Sequence, residues 1–195
     1  MSNIENKKVI FPNVKDGETF EIGDMEFIKF PNINGQTPVV MKDIAFKSRF
    51  GGNNDLRVSD VLKRMENDLR VSDVLKRMEI EILPKIVAVV GEENLCTIKT
   101  DLTTLDGLKP YGTAESLISL PTIDFYRTNV SIFDKYNPGC WWWLATPESA
   151  QPHDAPDWIL CVSPSGCINV NRYDNEGGVR PFCIFESSIF ESSEA

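Results

Sequence analysis

Very few side chains in this sequence have the types and spacing for chemistry. The single histidine, His153, sits in Ala150-Gln151-Pro152-His153-Asp154-Ala155-Pro156-Asp157, between prolines and aspartates. That is the composition of a surface loop, so no Ser–His or Cys–His nucleophile pair is expected to run through it. Cys96, Cys140, Cys161, Cys167 and Cys183 are scattered, without a C-x-x-C pair. They read as reduced, mostly buried thiols, with a Cys161–Cys167 disulfide as the alternative. Zinc needs several His or Cys ligands at short spacing, and the sequence has no such set. Asp154, Asp157, Asp174 and Glu176 carry oxygen ligands of the kind calcium takes, but no EF-hand spacing accompanies them. A solvated acidic loop is the preferred reading. Gly177-Gly178 marks a turn rather than a nucleotide-binding loop. The chain is therefore expected to be no enzyme and to use no cofactor or metal.

The remaining candidates are binding residues. Trp141-Trp142-Trp143 would suit a sugar platform or a stacking surface for single strands. On a strand, alternation turns at least one of the three away from the others. Core packing is preferred, either for Trp142 or for the Trp141 and Trp143 pair. Net charge is −9, from 20 basic and 29 acidic residues. Residues 131–195 hold three basic side chains, Lys135, Arg172 and Arg180, against nine acidic ones. Such a surface repels nucleic acid and anionic membrane and suits either plain solubility or a protein partner with a basic surface. The acidic loops around Asp154, Asp157, Asp174 and Glu176 are the expected contact region. No apolar run reaches the roughly 18 residues of a membrane span. The first residues lack the apolar core of a signal peptide, so a cytoplasmic location is expected.

These residues need a scaffold. Gly17 to Gly23 and Met25 to Phe30 alternate apolar and charged side chains at the period of half-buried strands, with Gly23-Asp24 as the hairpin turn. Val39 to Met41 and Ile44 to Phe46 continue the sheet. Asn54 to Glu66, NDLRVSDVLKRME, recurs unchanged as Asn67 to Glu79. Each copy has a helical stripe, Val58, Val61, Leu62 and Met65, then Val71, Val74, Leu75 and Met78. Thirteen residues at about 100° each leave the two stripes roughly 220° apart on one continuous helix. One copy is thus expected in the core, and the other as a helical arm or a chain–chain contact giving a homo-oligomer. Removing one copy leaves a parent of 182 residues. Ile82 to Val90 is an apolar stretch, and Pro121 to Arg127 reads as a helical turn. Short strands are expected at 97–101, 115–120, 158–162, 167–170 and 180–184. Ile184 to Ser188 recurs as Ile189 to Ser193. No linker or composition break divides residues 1–195.

Trp141-Trp142-Trp143-Leu144-Ala145-Thr146-Pro147, then Gly178-Val179-Arg180-Pro181-Phe182, resembles the "WWLRSP … GVRPA" signature of a bacterial and phage domain family of unknown function, similar to the C-type-lectin-like fold. Glu21 to Phe27, Asp68 to Leu75 and Ser119 to Tyr126 resemble that family's opening hairpin, helix and middle segment. Ala145 stands where the signature has Arg. The resemblance implies an α+β, single C-type-lectin-like domain. Small twisted antiparallel sheets, one or two helices and long loops would build it, with Trp141, Trp142, Trp143, Gly178, Val179, Arg180 and Pro181 as its structural signature. The 182-residue parent is similar in size and character, around Lys99 to Gly107, to anti-CRISPR proteins that block RNA-guided nucleases. A protein-binding inhibitor of a CRISPR effector nuclease, without direct nucleic-acid binding, is the leading expectation. A glycan- or small-ligand-binding module and an assembly protein are the alternatives.

Overall fold

A computed structural model describes residues 11–51, 72–109, 111–149 and 158–191. Strands β1 (Thr19–Ile22), β2 (Met25–Lys29), β3 (Gln36–Met41) and β11 (Phe182–Glu186) form an antiparallel sheet in the order β1-β2-β3-β11. The β1–β2 hairpin closes where the sequence places it, with Gly23 at φ 63°, a conformation a side chain resists. A second sheet runs β4 (Phe46–Arg49), β10 (Glu176–Val179), β7 (Trp142–Pro147), β8 (Trp158–Val162), β9 (Ile168–Arg172). Its pairs are antiparallel except β10 with β7, which run parallel and meet at Gly178 and Trp142. A small hairpin joins β5 (Ile98–Asp101) to β6 (Thr113–Ser116). The class is mixed α+β, with small, mostly antiparallel sheets and few helices. Where one or two helices are expected, the described residues hold four short α-segments.

The first two of these form one continuous rod. Segment α1 (Asp73–Arg77) leads through a π-helical turn (Met78–Ile82) into α2 (Leu83–Val90). Ser72 caps the start, its hydroxyl accepting from the Leu75 amide at 3.1 Å. Val74, Leu75, Met78, Ile82, Ile86 and Val90 are all buried. From Met78 onward their spacing is four, which on a regular helix drifts about 40° per step. The wider π turn winds less per residue and takes that drift back, keeping the row on one face. It also relieves Pro84, whose missing N–H and bulky ring would otherwise meet the preceding turn. Arg77 fastens the rod to β4. Its guanidinium lies 3.9 Å from the Phe46 ring centroid, donates to the Lys47 carbonyl, and pairs with Glu81. The end of the second repeat copy is therefore core helix. The first copy, and any arm or chain–chain contact it makes, lies outside the described residues.

The central strands of both sheets are buried on both faces. One cluster unites Ile22, Phe27, Val39, Cys183 and Phe185 with the α1–α2 row and with Trp143, Ile159 and Cys161. The other unites Ile28, Phe30, Val40 and Phe182 with Trp142, Leu144, Leu160 and Val162. It is closed by Ile123 and Tyr126 of α3 (Ile123–Thr128) and Phe133 of α4 (Val130–Lys135). Neighbouring residues of one strand thus serve opposite clusters. Among the described residues no helix is long and apolar enough to cross a membrane.

Candidate functional site

The tryptophans alternate as expected, but alternation does not divide core from surface. Trp142 and Trp143 are both buried, although they point to opposite faces, because every residue of β7 is covered. Trp143 stacks edge-on to Phe50 and donates from its indole to the Ser48 carbonyl at 3.0 Å. Trp142 packs on Phe133 and Tyr126 from α4 and α3. Trp141 falls one residue ahead of the strand and is 40% exposed. It is the surface tryptophan, and the pairing of Trp141 with Trp143 in the core does not form.

The rest of the signature is structural in a specific way. A Cβ on Gly177 would lie 2.6 Å from the Trp143 ring, and one on Gly178 would lie 2.6 Å from Ile44 Cδ1 and 3.0 Å from the Trp141 carbonyl oxygen. Gly177-Gly178 is thus strand and not the expected turn, because only glycines let β10 pass this close to the tryptophans. Gly178 donates to that same Trp141 carbonyl at 2.8 Å. Val179 is buried and accepts from the Ala45 amide, and the Pro181 carbonyl accepts from Met41. Arg180 is fully buried, its Nε donating to the Met41 carbonyl at 3.0 Å. Its guanidinium carbon sits 4.9 Å from the Trp142 ring and 5.5 Å from Phe133, so aromatic faces take the place of a counter-ion. Both Nη atoms and Trp142 Nε1 are buried without a protein hydrogen-bond partner among the described residues. Burial pushes the guanidinium down to about 10, partly opposed by the Asp43 charge.

Of the four acids expected to make the contact region, Asp154 and Asp157, together with His153, lie outside the described residues. Asp174 is held by Arg172, which donates to both carboxylate oxygens at 3.0 and 3.1 Å. That bond keeps its carboxyl below the usual range. Glu176 stands free of ion pairs among the described residues. It lines an open recess of about 350 Å³ with Trp141, Val170 and Asn171. The Asn171 side-chain oxygen Oδ1 accepts from Arg172 N and Asn175 Nδ2, which fixes the side chain. Val170 and Asn171 were not singled out in the sequence. Val170 ends the strand expected at 167–170 and Asn171 falls one residue past it, and nothing in the sequence names the partner strand.

All five thiols are free. Burial pushes Cys96 up to about 11, Cys161 up to about 12, and Cys183 higher still. These are unreactive packing groups. Cys167 is exposed and Cys140 half-buried. Among the described residues no three His, Cys, Asp or Glu side chains gather as a metal-ligand set. Compared with known proteins, the chain matches no family model, no curated protein and no solved structure.

Proposed function

We propose that this chain is a non-enzymatic binding protein on a C-type-lectin-like scaffold. It acts as a cytoplasmic, mobile-element inhibitor of an RNA-guided type II CRISPR nuclease, by covering the basic surface with which that nuclease grips nucleic acid. The observation that carries the reading is a division of labour within the signature. Trp142, Trp143, the paired glycines and Arg180 serve the interior, while Trp141 is exposed and lines an open recess with Glu176, whose carboxylate has no ion pair among the described residues. An exposed aromatic beside free carboxylate is what a basic protein surface is built to meet. The excess of acid over base in residues 131–195 adds a steering field of the matching sign.

The test is cleavage of linear target DNA by a panel of type II nuclease–guide complexes. The chain at a small molar excess should abolish cutting by at least one of them. Full cutting by every member at tenfold excess refutes the proposal. A second reading rests on the recess itself. An indole beside an amide and a carboxylate also suits a sugar, and a glycan module would show thermal stabilisation by sugars that Trp141→Ala removes.

A further inference from the structure

The recess beside Trp141 has a chemistry more definite than acidity alone. One wall is Trp141, which makes no aromatic contact with another described ring and is 40% exposed. Another is the Glu176 carboxylate, with no ion pair among the described residues, while the neighbouring acid Asp174 is already bonded to Arg172. Val170 and Asn171 complete the lining, and the Asn171 side-chain oxygen accepts from the Arg172 amide and from Asn175 Nδ2. At about 350 Å³ the space admits one long side chain rather than a folded element.

We propose that this recess seats an arginine side chain presented by the basic partner. The guanidinium plane stacks on the Trp141 indole, its N–H groups donate to the Glu176 carboxylate, and its methylene stem lies on Val170. Guanidinium fits better than ammonium for two reasons. Its planar fork matches the two oxygens of a carboxylate, and its weakly hydrated faces stack on an aromatic ring. Lysine would satisfy charge but neither geometry. A carboxylate or phosphate ligand is disfavoured because Glu176 would repel it. The inference rests on the inhibitor reading for the identity of the partner, but not for the chemistry of the recess.

The probe is tri-arginine amide, compared with tri-lysine amide and a panel of neutral monosaccharides, titrated into the 15N-labelled full chain. The indole N–H resonance of Trp141, assigned from Trp141→Phe, is the readout. Tri-arginine should shift it with a Kd near the millimolar range, at least threefold tighter than tri-lysine, consistent with a stacked cation on an open indole. The buried Trp142 and Trp143 indoles should stay still. Glu176→Gln should weaken binding roughly five- to tenfold, a loss in the range of one ordinary net hydrogen bond. No response of Trp141 up to about ten times the expected Kd would overturn the inference. So would an equal response to arginine and lysine, or a response to sugars alone. In the nuclease assay, Trp141→Ala and Glu176→Gln should each raise the concentration needed for half inhibition. Unchanged inhibition by both variants overturns the arginine seat and leaves the inhibitor reading standing. An unaltered chain that inhibits nothing, yet binds tri-arginine, overturns the inhibitor reading and leaves the seat.

Discussion

Gly177 and Trp143 show how closely single residues are matched here. The indole fills the place where any larger residue would put its Cβ, so the strand and the ring must move together or not at all. Gly177→Ala is expected to cost about 1–3 kcal/mol, the range for forcing an extra methyl into a filled interior. Urea unfolding measures it, and an unchanged midpoint would show that the ring has room to retreat. The thiols give a second expectation. Cys161 and Cys183 keep their protons in the folded chain far above the value near 8.5 they have when unfolded. Below that value the two states bind equal protons. Above it the unfolded state releases protons that the folded state retains, so stability falls by about 1.4 kcal/mol per pH unit for each such thiol. Thermal midpoints between pH 8 and pH 10.5 should decline. Cys161→Ala with Cys183→Ala should start lower at pH 8 but flatten the slope.

The rod of α1, the π turn and α2 shows how the end of the second repeat copy meets the core. The row that begins at Val74 and Leu75 continues through Ile82, Ile86 and Val90, so the copy adjoining those residues is in phase with the core. Because the copies are identical, deleting residues 54–66 or 67–79 produces the same 182-residue chain. That chain retains every contact described for Ser72 to Glu79, and its thermal midpoint should lie within a few degrees of the parent's. A collapse of the fold would show that the first copy carries core packing of its own. Elements were unevenly legible in the sequence. The β1–β2 hairpin is plain because alternation and a Gly-Asp turn agree. Ile82 to Val90 conceals a helix, because Pro84 reads as a breaker until the π turn that accommodates it is seen. Segment α4 has no cap or period strong enough to announce it.

Across the whole molecule, the two clusters share the same strands, and that sharing decides what is left for the surface. Phe27 and Ile28, Val39 and Val40, Trp142 and Trp143 each divide between the clusters. Alternating patterns cannot reveal such two-faced burial, since both neighbours are apolar. For that reason the sequence could not say which tryptophan would face out, which turns on the single residue where β7 begins. Glu176 was legible as a surface acid, whereas its meeting with Trp141, Val170 and Asn171 needed the packing of β9, β10 and the start of β7. On the proposed function, this outer face, and not a reactive interior, acts on a basic partner. The most direct test of that reading is the affinity of the chain for an inhibited nuclease–guide complex at low and high salt, since exposed charge pairs are screened within about 8 Å at physiological ionic strength. Raising salt from about 0.05 to about 0.5 M should weaken binding at least tenfold, chiefly by slowing association. An affinity that does not change with salt would contradict it.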